Sequence, residues 1–344
     1  MVICRNVAEE LVIEEANLQL ERLNKNLQEQ LRLADVVCQV LNHLPPMYAT
    51  NHRGWVKQRN KAKEEYGKQI NVLVQQAIVT ISNSPVRNPL PLPLEVLASP
   101  ERSLDRLQKI IRKTNLTWND IPNAVIGAIV SAYQSNNVPS EPQPTSRTPQ
   151  SAAAKSIKSY LQRHARKDDR KIKAKEIKDE SDQEFQRYML RANCGFVNVL
   201  EGLVLEASER QIKRLDPSYT RPITLEEVAA YALNRLPPMY ATSENGYREL
   251  RLRVKAELKQ EVINKIREGI LKLSQSPMRK FLPVPFEKID HQRDESIAQL
   301  RTILQEPELT WKKLPEQIAE ILRQTREGNQ TWFLRVRAER GSIT

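Results

Sequence analysis

The sequence predicts an all-α protein made of two copies of one helical module, joined by a disordered, basic linker. Three observations predict it. First, the chain repeats itself: LNHLPPMYAT at 41–50 returns as LNRLPPMYAT at 233–242, and the offset of 192 holds without a gap over a long stretch. Second, apolar residues recur at three- and four-residue spacing between breakers. Third, only 9 of 344 residues are glycine, too few for an all-β chain full of tight turns.

The repeat sets the boundaries. NVAEELVIEE (6–15) faces NVLEGLVLEA (198–207), and SNSPVRNPLPLPLE (82–95) faces SQSPMRKFLPVPFE (274–287). One residue out of step, LTWNDIP (116–122) faces LTWKKLP (309–315). The expected division is a first domain at 1–131, a linker at 132–190 and a second domain at 191–330. Within 134–153 the chain is rich in Pro, Ser, Gln and Asn and cannot form a core. The basic stretch 155–191 holds neither Pro nor Gly, which leaves a charged helix open.

Each module opens with a helix, at 6–23 and 198–214. In the second copy Asp216, Pro217 and Pro222 break the chain, and Thr224-Leu-Glu-Glu227 reads as a capping box for the next helix. The first copy lacks those prolines at 24–34, so its first two helices are expected to be less sharply separated. After the double proline comes a long helix. Trp55, Ala62, Ile70, Val74 and Ala77 mark its apolar face in the first copy, and Tyr247, Val254, Val262, Ile266 and Ile270 in the second. It must stop at Ser-x-Ser-Pro, because the spaced prolines that follow hold the chain extended. A final helical hairpin carries the LTW motif.

Composition excludes several classes. No apolar run approaches the roughly 18–20 residues of a membrane span, and the first residues show no secretory signal, so a cytoplasmic protein is expected. Cys4, Cys38 and Cys194 lie far apart, which argues against a disulfide framework or a cysteine-built metal site. Of the net charge of +12, more than half sits in Lys155–Lys178, with ten Lys/Arg against three Asp/Glu. That segment is either a solvated spacer or a patch for an acidic partner or nucleic acid. The phosphate-loop, dinucleotide, zinc-protease and serine-hydrolase motifs are absent, and His43, His52, His164 and His291 occupy no matched positions. The chain is expected not to be an enzyme and to hold no cofactor or metal.

Two sets of matched residues could carry function. In the double-proline motif, Tyr48 and Tyr240 can stack on a flat ring or donate a hydrogen bond, and Thr50 and Thr242 can cap the next helix and leave its N-terminus to an anion. Alternatively, the motif packs the core and Thr is only a cap. On the long helix Arg59 and Lys63 match Arg251 and Lys255, four residues apart and close to the apolar stripe. A cation there needs a partner. An acid of the other copy (Glu65 or Glu257) could serve, or a phosphate, unless the side chain snorkels to water. Arg87 and Arg279, in the Ser-Pro-x-Arg turn, form a third matched pair.

With those residues in view, LNRLPPMYATSENGY, the helix before it and SPMRKFLPVP resemble the late competence development protein ComFB family, over roughly 6–95 and 198–290. The resemblance implies a small helical fold that pairs as a dimer, here a pseudo-dimer of two tandem copies or a homodimer. It also implies a cyclic di-GMP receptor with roles in natural competence, type IV pili and cell size, acting through a partner protein such as a transcription regulator or pilus component. The ligand role falls by resemblance on Arg235, Tyr240, Thr242, Ser243, Arg248 and Arg251, with Tyr48, Thr50 and Arg59 as counterparts. His43, Asn51 and Val56 stand where the second copy has Arg235, Ser243 and Arg248, so the first copy is expected to be the degenerate half. The alternatives are a helical interaction scaffold without a small ligand, or a nucleic-acid adaptor working through the linker.

Overall fold

The computed structural model describes residues 4–83, 90–93, 95–136, 184–192, 194–215, 223–275 and 286–327. In chain order its helices are α1 (Val7–Glu21), α2 (Lys25–Gln30), α3 (Leu33–Leu41), α4 (His52–Asn83), α5 (Pro100–Ile111), α6 (Ile121–Asn136), α7 (Val199–Ile212), α8 (Leu225–Leu233), α9 (Glu244–Arg253), α10 (Lys259–Ser274), α11 (Glu287–Leu304) and α12 (Leu314–Arg326). Four two-residue strands complete it: β1 (Arg5–Asn6), β2 (Tyr48–Ala49), β3 (Val197–Asn198) and β4 (Tyr240–Ala241). β1 pairs antiparallel with β2 and β3 with β4, in the same register in both copies. The chain is all-α, as the sequence predicts.

The described residues form two compact units that cut across the sequence repeat. One holds those of Met1–Ala98 and Asn193–Glu287, the other those of Ser99–Ala192 and Lys288–Thr344. The first unit is thus the two copies without their hairpins, a pseudo-dimer within one chain. In copy one, α1 packs against α3 and α4; in copy two, α7 packs against α8 and α10. Burial follows the apolar stripes, with Val12, Val36, Val37, Ala62 and Val74 matching Val204, Val228, Ala229, Val254 and Ile266. Cys4 and Tyr48 of copy one lie inside the core of copy two, so copy two does not complete its core alone.

Caps explain the boundaries. Asn6 and Asn198 accept from the backbone N–H groups of Ala8 and Leu200, both at 3.1 Å, opening α1 and α7. Thr224 and Glu227 form the expected capping box. The segment 24–34, expected to blur α1 into α3, instead folds as the separate turn α2. Asn24 caps it, and the Gln28 amide donates to the carbonyls of Leu20, Glu21 and Leu23, closing the end of α1. α4 runs unbroken for 32 residues, whereas its counterpart is split by a π-helical turn at Val254–Leu258.

In the second unit α12 packs on α5 and α6. Trp118, fully buried, donates its indole N–H to the Tyr188 hydroxyl at 3.1 Å. The Ser296 hydroxyl on α11 donates to the Trp118 carbonyl at 2.7 Å. Leu104, Leu107, Ile121, Leu300, Leu314 and Ile318 are buried in the same unit. Among the described residues no helix is long and apolar enough to cross a membrane.

Candidate functional site

The double-proline motif sits where the two copies meet. Pro45-Pro46 and Pro237-Pro238 end α3 and α8 and send the chain into β2 and β4. There the strand of each copy is gripped by an asparagine of the other. Asn234 accepts from the Tyr48 backbone N–H at 2.6 Å and donates to its carbonyl at 2.9 Å. Asn42 does the same for Tyr240, at 2.8 and 3.1 Å. A side-chain amide thus stands in for a neighbouring strand, which a two-residue strand with one partner otherwise lacks.

The tyrosine rings complete the exchange. The Tyr240 hydroxyl donates to Glu9 at 2.7 Å and accepts from the Asn6 amide at 2.8 Å. The Tyr48 hydroxyl donates to Glu201 at 2.7 Å and accepts from the Asn198 amide at 2.9 Å. Both tyrosines are buried. Burial, followed by the negative charge of the nearby glutamates, holds both phenols well above their ordinary value. Asn6 and Asn198 each use one side chain twice, the oxygen capping their own helix and the amide reaching across. This reciprocal contact is a built polar core, not a cleft with an acid or base poised at its mouth.

Other expected site residues fall elsewhere. Thr50 and Thr242 are not the caps; Asn51 and Ser243 are, accepting from the N–H groups of Gly54 at 2.8 Å and Gly246 at 3.2 Å. Thr caps well, but the strands end at Ala49 and Ala241 and the helices open one residue later than expected, after Asn51 and Ser243. Nor is the start of α9 open to an anion: the Glu244 N–H donates to the Leu90 carbonyl at 3.0 Å, and Pro91 bridges to Ser243. The proline-spaced segment of copy one therefore crosses to the helix start of copy two.

The matched cations split. Arg59 is half-buried, lies 5.6 Å from the Trp55 ring and bonds Glu14 of its own copy at 3.3 Å. Arg251 is exposed, 6.0 Å from the Tyr247 ring, and Glu206, which matches Glu14, pairs with Arg210 instead. The inter-copy partners considered from the sequence are engaged locally: Glu65 with Lys61 at 3.7 Å and Glu257 with Arg253 at 2.9 Å. Intrahelical partners four residues away reach their cations first. Lys63 and Lys255 are exposed. Arg235 is also exposed, stacked 3.6 Å over the Tyr231 ring, with its guanidinium donating to the Tyr231 carbonyl. Arg248 pairs with Glu244 at 2.5 Å on the surface. Arg87 and Arg279 lie outside the described residues, as does Lys155–Lys178. Asn42, Asn234, Asn6, Asn198, Glu9 and Glu201 were not singled out from the sequence, although their identity in both copies was a visible signal. Among the described residues no cluster of His, Cys, Asp or Glu could hold a metal ion.

Fold and contact together define a duplicated helical module that dimerises within its own chain through a reciprocal asparagine–tyrosine clasp. The family model of the late competence development protein ComFB matches the chain twice, at residues 5–85 and 197–277. The chain is a tandem ComFB-family protein. Each match ends just past the long helix, and the hairpins lie outside the matched residues. No curated protein matches the chain.

Proposed function

We propose that this chain is a non-catalytic regulatory receptor of the late-competence type, with cyclic di-GMP as its ligand and a partner protein as its output. The observation that supports the reading is a division of labour within the family module. The buried polar atoms of the motif face inward and hold the two copies together, while Arg235, Arg248, Arg251 and Lys255 of copy two stand on the surface. Cyclic di-GMP carries two phosphates and two guanines about a near two-fold. A paired body with exposed guanidinium groups suits that chemistry, since arginine binds phosphate and guanine edges bidentately. In this reading Tyr48, Tyr240 and Ser243 act by fixing the body on which the cations sit, and copy one serves chiefly as the pairing half. Isothermal titration of the whole chain with cyclic di-GMP tests the proposal. Saturable heat at micromolar ligand is expected, and no heat ends the reading.

A scaffold without a small ligand is the second reading. Val72 and Val79 on α4 and Leu271 on α10 are exposed apolar side chains facing away from the core. This reading predicts no heat with any nucleotide.

A further inference from the structure

The long helix differs between copies at one place. α4 is regular, whereas the matching helix opens into a π-turn at Val254–Leu258. The copies align without a gap here, so no inserted residue requires the turn. Such turns disrupt the helical hydrogen-bond pattern and recur where a helix shapes a site. Beside this one is a cavity of about 320 Å³, lined by Asn42 of copy one and, from copy two, by Pro237, Pro238, Met239, Leu250, Arg253, Glu257 and Leu258. That volume falls at the small end of sites that enclose a small molecule, about 300–1,000 Å³.

The lining has two characters. Prolines, Met239 and the two leucines offer apolar faces on which a flat ring can lie. Glu257 and Arg253 add a carboxylate and a guanidinium, joined at 2.9 Å and each more than half exposed. A surface pair of this kind is held weakly and can exchange partners. Guanine matches both groups at once. Its N1–H and exocyclic amine are adjacent donors for one carboxylate, and its O6 and N7 are adjacent acceptors for one guanidinium. Adenine has an acceptor at N1 where guanine has a donor, so it leaves the carboxylate opposed.

We propose that this cavity is a guanine-binding subsite, present in copy two and lost in copy one. At the matching positions copy one has Gln58 for Leu250, Lys61 for Arg253 and Tyr66 for Leu258, on a helix without the π-turn. Lysine lacks the fork that reads O6 and N7 together. The identity of the whole nucleotide rests on the receptor reading above, whereas recognition of the base does not.

The test is calorimetric titration of the full chain with cyclic di-GMP, cyclic di-AMP and GMP, repeated for Glu257→Gln and for Glu65→Gln, its copy-one counterpart. Roughly tenfold weaker binding of cyclic di-AMP is expected, with a similar loss of cyclic di-GMP affinity in Glu257→Gln and none in Glu65→Gln. Wild-type affinity in Glu257→Gln overturns the subsite and leaves the receptor reading standing. Binding of GMP but not cyclic di-GMP, lost in Glu257→Gln, supports the subsite and overturns the receptor reading. Silence with both guanine ligands overturns both.

Discussion

The clasp is the same in both copies, while the outer surface of the long helix is not. Asn42 and Asn234 each bridge the opposite strand, and Tyr48 and Tyr240 each reach an asparagine–glutamate pair beyond it. On the long helices, by contrast, Arg59 is tucked against Glu14 while Arg251 is exposed. The difference follows from reciprocity. Each clasp donor faces an acceptor supplied by the other copy, so altering one residue strands a buried group elsewhere. An outer side chain answers only to its own helix and solvent, which leaves the two copies free to diverge there.

Removing one grip at a time tests whether the two copies carry equal weight. Asn234→Ala leaves the buried N–H and carbonyl of Tyr48 without their amide partner, at a cost of about 1–3 kcal/mol. Asn42→Ala does the same to Tyr240. Urea unfolding should give similar losses for the two variants, and a loss confined to one would show that the symmetry is geometric but not energetic. Alkali attacks the same contact. The phenols of Tyr48 and Tyr240 are raised when folded, so the stability they contribute is intact below the unfolded value, about pH 10, and lost as pH climbs through the folded one. Tyrosinate absorbance should therefore show at least two of the nine tyrosines, Tyr48 and Tyr240 among them, staying protonated until the protein unfolds. Smooth ionisation of all nine near pH 10 would contradict the buried clasp.

That contact also marks where sequence reading stops. The repeat, the capping box at Thr224, the end of the long helix before Ser-Pro and the all-α class follow from local rules, because each depends on neighbours within a few residues. The motif itself was visible too. Its tyrosines stay open there between a ligand and the core, because a one-dimensional pattern shows that a residue is constrained but not what faces it. Here the facing groups come from 150 to 234 residues away. The same limit explains the domain boundaries: the LTW hairpins read as the ends of their own copies, yet α12 packs on α5 and α6. Arg59 and Arg251 hold matching positions, but they differ because Glu14 reaches Arg59 while its counterpart Glu206 is engaged by Arg210.

Glycine substitutions sharpen the contrast between the long helices. A Cβ on Gly269 would lie 2.9 Å from Cδ1 of the Tyr231 ring, and that ring is held by its hydroxyl's bond to Glu268 at 2.6 Å. Gly269→Ala should therefore destabilise by about 1–3 kcal/mol through overpacking, despite the better helix former. Gly67, on α4, has nothing within 4 Å of the same added atom. Gly67→Ala should stabilise by about 0.5–1 kcal/mol. Thermal unfolding reads both, and a stabilising Gly269→Ala would show that Tyr231 yields freely.

The smallest expected effect separates the matched arginines. Arg59→Ala removes a half-buried ion pair and a cation stacked on Trp55, a loss of about 1 kcal/mol. Arg251→Ala removes an exposed side chain and should leave stability within about 0.5 kcal/mol. Ligand binding should reverse the order, since an arginine already engaged by Glu14 has less to offer a phosphate than one in water. Arg251→Ala should thus weaken cyclic di-GMP binding more than Arg59→Ala does. Equal losses of affinity would mean that Arg59 gives up its carboxylate when the nucleotide arrives, and the copies would then be functional equals despite their different resting contacts.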